Sequence, residues 1–200
     1  GGHRIEGIGD KHVPWIHNVR NTDLVVAIDD AAPMALLRLF NEDAGKAYLV
    51  KAGVPESLVR DLPLLGISGI SNVLSAVKLA HWYELGSQDV VVTILTDSMD
   101  LYASRVAELR EEQGPCDATA AAVAHERWML GATTAHMAEL GYWERKRIHN
   151  LKYFTWVEQQ GKTAAELDAL WSPGWWEAIQ SQVPAIDRLI EEFNRAVGLG

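Results

Sequence analysis

The sequence predicts an α/β protein, with a parallel-sheet part over residues 1–114 and an all-helical extension over residues 115–200. Three observations lead there. Two short apolar runs rich in β-branched residues, 24–28 and 90–95, read as buried strands. Helix-like stretches follow each run, and strand–helix alternation of this kind implies parallel strands with helices on their faces. Beyond Gly114-Pro115 the periodicity reads as helical.

Each element has its own local signal. After the first strand, Asp29-Asp30 and Pro33 are helix-start residues for an apolar stretch ending near Phe40. Gly45, Gly53 and Pro55 punctuate a loop with a short helix. The small residues 66–71 form a turn that opens a helix to about Glu84, with Val73, Val77 and Ala80 on one face. Asp97-Ser98 end the second strand, and a helix follows to about Glu112. In the extension, helices are expected over 117–140 and, after Gly141, through Gln159. Thr163 with Glu166 fits a capping box. Ser172-Pro173 places a cap before a first-turn proline. Val183, Ile186, Leu189, Ile190, Phe193 and Val197 make a helical stripe that Gly198 stops.

Composition narrows the function. The chain has 200 residues and a formal net charge of −9, with 18 Lys and Arg against 27 Asp and Glu. That balance argues against nucleic acid or an anionic membrane as the main partner. Arg145-Lys146-Arg147 beside Glu144 reads as a solvated helix face. Cys116 is the one cysteine, so no intrachain disulfide can form, and a cytoplasmic setting is expected. No apolar run is long enough to span a bilayer. Gly1-Gly2-His3 suggests that the natural start lies elsewhere. Tryptophan concentrates in the last third, as at Trp175-Trp176, which points to packed helices or a subunit contact and hence to a homo-oligomer.

Three segments carry the chemistry. The first is His3-Arg4-Ile5-Glu6-Gly7-Ile8-Gly9, followed by Val13-Pro14. The second is Gly66-Ile67-Ser68, opening an apolar helix. The third is Ile94-Leu95-Thr96-Asp97-Ser98, with Tyr102-Ala103-Ser104 just after. In this order they resemble the C-terminal half of the cysteine synthase family, the fold-type II pyridoxal-phosphate (PLP) enzymes. That family shows an HKIQGIG-like segment, then GISSGAA, then ILPDSGERYLST. The resemblance covers residues 1 to about 105. The chain departs from it at Thr96, at Met99-Asp100-Leu101, and in a longer stretch between the first strand and Gly66.

The resemblance implies a fold-type II sheet and a PLP-dependent β-elimination or β-replacement on an amino-acid substrate. It assigns Ser68 as partner of the pyridine nitrogen. A neutral hydroxyl there leaves the cofactor a milder electron sink than a carboxylate would. Gly7, Ile8 and Gly9 would line the cleft beside the cofactor. His12 falls where it could select substrate or move protons. The family's Schiff-base lysine, substrate-carboxylate loop and phosphate loop lie upstream of these segments. None has a counterpart in this sequence; Lys11 and Lys78 sit outside any matching motif. The N-terminal half of the enzyme, in the same polypeptide or a companion chain, would have to supply them.

Competing motifs are incomplete. The stretch 66–70 misses the G-x-S-x-G elbow at Ile70, and His125-Glu126 misses H-E-x-x-H because Met129 stands at the second histidine. No metal site is expected. Cys116, after Pro115, reads as a structural thiol. The alternative reading is a non-catalytic partner or regulatory subunit that keeps the fold without the chemistry; the changes at Met99–Leu101 and the tryptophan-rich tail motivate it.

Overall fold

A computed structural model of the chain describes residues 3–5 and 7–199. Most of the described chain is helical. Strand β1 (Leu24–Val26) and strand β2 (Met137–Glu139) form a two-stranded sheet, the one sheet among the described residues. Ala27 N donates to His136 O and Leu140 N donates to Asp23 O, which makes the pair antiparallel. Among the described residues the expected parallel sheet is not found, and the architecture is mainly helical with a small antiparallel ladder. The physical cause lies in the run 90–95. It forms no strand, and no strand among the described residues pairs with it. Val90 and Val92 are 86% and 84% exposed.

The chain divides into two compact units. One comprises Gly1–Gly9 and Val26–Ala138; the other comprises Asp10–Val25 and Glu139–Gly200. The expected seam at Gly114-Pro115 falls inside the first unit. Its core explains why. Helices α1 (Ala31–Asn41), α2 (Asp43–Lys51), α3 (Glu56–Asp61), α4 (Ile67–Trp82), α5 (Ala103–Gln113) and α6 (Ala118–His125) belong to this unit. Leu36, Leu37, Leu39, Ile67, Ile70, Leu74, Leu109 and Ala121 share one buried cluster, so residues on both sides of Gly114 complete the same core.

A buried ion pair fastens that seam. Arg38 Nε donates to Glu42 Oε1 at 2.6 Å, and Arg38 Nη2 donates to the Gly114 carbonyl at 2.6 Å. The other Glu42 oxygen accepts from Arg110 Nη2 at 3.0 Å and from Cys116 N at 3.4 Å. Burial alone would raise the Glu42 pKa, but these donors hold it below the ordinary carboxylate value. Cys116 responds oppositely: burial, then the Glu42 charge, pushes its thiol up.

The second unit contains α7 (Tyr142–Lys152), a π-helical turn (Tyr153–Val157), α8 (Ala164–Ala169), α9 (Pro173–Gln180) and α10 (Val183–Val197). The Thr163–Glu166 capping box forms in both directions, and Gly198 closes α10 with a left-handed φ of 76°. Leu167 and Leu170 are buried here with Val19 and Leu140. The stripe on α10 is exposed, Phe193 at 64%. Among the described residues no helix is long and apolar enough to cross a membrane. The helix expected over 117–140 is shorter. After α6 the chain forms a π-helical turn (Glu126–Leu130), meets Gly131, and enters β2.

Candidate functional site

The three motif segments meet in the first unit. Ile5 is part of the buried core, Arg4 N donates to Asp30 Oδ2 at 3.0 Å, and the Arg4 guanidinium pairs with Glu112 at 3.2 Å. These contacts anchor the segment that carries Gly7. Ser68 lies in the first turn of α4 and is 2% exposed. A Cβ placed on Gly7 would lie 2.6 Å from Ser68 Oγ, so a side chain at position 7 would take the space beside that hydroxyl.

The third segment reaches the same turn. Gly66 N donates to the Asp97 carbonyl at 3.0 Å. Tyr102 Oη donates to Asp97 Oδ2 at 2.5 Å, and Ser98 Oγ caps the short turn Met99–Leu101 by accepting from Asp100 N. A Cβ on Gly66 would overlap the Asp97 carboxylate and come within 2.8 Å of the Tyr102 ring. Gly66→Ala should therefore displace the Asp97–Tyr102 pair and destabilise the first unit by about 1–3 kcal/mol, the range for forced overpacking. Urea unfolding of both proteins checks this; equal midpoints would mean that Asp97 moves aside freely.

The remaining assigned residues fall as follows. Ile8 is 38% exposed. Gly9 has a φ of +86°, a conformation that suits glycine, and its carbonyl is 2.9 Å from His3 Nε2. His12 belongs to the second unit, where its Nδ1 is 2.7 Å from Thr155 Oγ1 and its backbone N donates to Asp10 Oδ1. Gly7 and Ser68 are thus brought together, and Asp97 and Tyr102 join them through Gly66. The sequence marked Asp97 and Tyr102 through the third motif but gave them no role.

A second polar cluster had no sequence signal. Lys152 is fully buried in the second unit, and Nζ donates to the carbonyls of Trp15 at 2.9 Å and His17 at 2.6 Å. Burial lowers its pKa to about 8. His17 is also lowered, first by burial and then by the Lys152 charge; its Nδ1 is buried without a partner. His149, one helical turn before Lys152, places Nε2 3.0 Å from the Leu167 carbonyl, and burial lowers its pKa as well. The lysine ties backbone together, and both imidazoles are held towards the neutral form.

No family model, no curated protein and no solved structure matches the chain.

Proposed function

We propose that this chain forms the pyridine-nitrogen side of a PLP-dependent enzyme that performs β-elimination or β-replacement on an amino acid. The observation that carries the reading is the meeting of Gly7, Ser68 and the Gly66–Asp97–Tyr102 contacts at the start of one helix. Three motifs far apart in sequence come together at the start of α4, and that meeting supports the reading. The residues fit one edge of the cofactor ring: a buried hydroxyl, with a glycine keeping side-chain atoms off it.

When bound, PLP supplies an electron sink for bond breaking next to the substrate amine. Ser68 would meet the ring nitrogen with a neutral group, holding no negative charge there and so leaving that nitrogen's proton affinity low. Gly7, Ile8 and Gly9 would let backbone approach the ring. A companion segment, the N-terminal half of the same enzyme, would bring the Schiff-base lysine. The run 90–95 supports that part of the reading, because it has no strand beside it among the described residues and its exposed apolar side chains suit a strand completed by another segment. Assembly as a homo-oligomer and a cytoplasmic setting belong to the same proposal.

The departures at Met99–Leu101, which form a short capped turn, favour a second reading: a regulatory or non-catalytic partner that keeps the fold. Ser68 variants of the complete protein separate the two. Ser68→Ala should weaken PLP binding by about 1 kcal/mol and slow turnover. Ser68→Asp should raise the ring nitrogen's pKa by charge pairing, change the visible spectrum and lower turnover further. A serine that serves only the helix start predicts neither change, since aspartate also suits helix N-termini. An unchanged spectrum and turnover in both variants would refute the assignment.

A further inference from the structure

A cavity of about 290 Å³ opens in the first unit at the far end of α4 from Ser68. Lys78 lies ten residues beyond Ser68, roughly 15 Å along the helix, so this is a different place from the proposed cofactor edge. Its apolar wall includes Ile28, Leu74 and the indole of Trp128. Its polar wall is mainly cationic, with Lys78 and Arg127, and His136 adds a ring nitrogen.

Neither cation is committed to a carboxylate among the described residues. Lys78 Nζ donates to the carbonyls of Ala27 at 3.4 Å and Ala135 at 2.5 Å, which fixes the ammonium and leaves one N–H unused. The Arg127 guanidinium lies 4.5 Å over the Trp128 ring, so its flat face is supported by the indole while its N–H edge remains available. Asp29 is the one carboxylate on the lining, and its Oδ1 already accepts from Ala31 N at 3.0 Å. His136 holds a φ of +60°, a left-handed conformation that costs a non-glycine residue energy. Local strain at a cavity-lining residue is a recurring mark of ligand sites. Burial also lowers the Lys78 pKa.

We infer that this cavity binds a small carboxylic acid with a flat apolar body. The carboxylate would pair with the Arg127 fork and the free Lys78 N–H, and the body would lie on Trp128, Ile28 and Leu74. A cation held by two carbonyls, a second cation stacked on an indole and an apolar wall beside them favour that combination over a bare phosphate, which would leave the apolar wall unused.

The test uses the full chain and 4-fluorobenzoate, observed by fluorine NMR, with neutral 4-fluorobenzamide as the matched control. Saturable binding of the benzoate is expected, with the amide weaker by roughly tenfold, the loss of a charged hydrogen bond. Arg127→Gln removes an exposed side chain outside any ion pair of the described residues and should weaken the benzoate by a similar factor. Lys78→Met should do the same; Arg127→Gln keeps the test decisive if losing the lysine's carbonyl bonds perturbs the fold. Equal binding of acid and amide, indifference to Arg127→Gln, or no saturable binding would overturn the inference. Inorganic phosphate competing as well as benzoate would also overturn it, by showing an anion site without selection for the apolar body.

Discussion

Glu42→Ala should destabilise the first unit by about 3–5 kcal/mol, the cost of leaving a buried charge without its partner. Arg38 and Glu42 are each 6% exposed, and their 2.6 Å ion pair is fastened to Arg110 and to the Cys116 amide. Removing the carboxylate strands the Arg38 guanidinium with neutral partners, Gln113 Oε1 and the Gly114 carbonyl. Urea unfolding should show a large fall in midpoint at unchanged slope. The same carboxylate gives an acid-side dependence. Its folded pKa lies below its unfolded value, so its contribution is present above the unfolded pKa and is lost as the pH falls through the folded one. Stability curves of the wild type and Glu42→Gln should therefore converge in acid. A constant gap between them down to the acid limit would contradict the pairing.

Lys152 should produce a dependence of the same sign on the alkaline side, with stability rising as the pH rises. Its folded pKa, about 8, lies below its ordinary 10.5. Between those values the unfolded chain binds the proton and the folded chain does not, so raising the pH favours the fold. A difference of this size corresponds to about 3 kcal/mol gained across that window, an upper figure for one residue. The neutral amine still has two N–H groups, enough for the Trp15 and His17 carbonyls, so deprotonation removes the buried charge while keeping both bonds. Subtracting the pH profile of Lys152→Met from that of the wild type isolates the effect. A difference that stays flat from pH 8 upward would mean that the ammonium is hydrated in the fold.

Local signals in the sequence were good guides to helices and poor guides to pairing. Pro33 in an apolar stretch, the turn at Gly66, the Thr163–Glu166 box and Gly198 all act within a few residues of themselves, and the helices form where they indicate. Strand pairing is a long-range event. Residues 24–26 found a partner in Met137-Ala138-Glu139, three residues with good helix propensity, so tertiary pairing overrode local preference. Residues 90–95 have the stronger strand composition and, among the described residues, no strand beside them. The meeting of Gly7 with Ser68 was not legible, because neither residue's spacing encodes the contact and the resemblance placed each beside the cofactor without pairing them. The Arg38–Glu42 network and buried Lys152 were illegible for another reason. Charged side chains are expected at the surface, and nothing local marks the few that a fold encloses.

The most direct test of the proposed function is borohydride reduction of the complete protein, companion segment included, followed by peptide mapping. The visible spectrum before reduction reports bound PLP. The proposal predicts a PLP chromophore in the complete protein and one stoichiometrically labelled lysine outside residues 1–200, while this chain alone gives scattered, substoichiometric labelling. A complete protein without bound PLP, or stoichiometric labelling of a lysine within this chain such as Lys11 or Lys78, would contradict it.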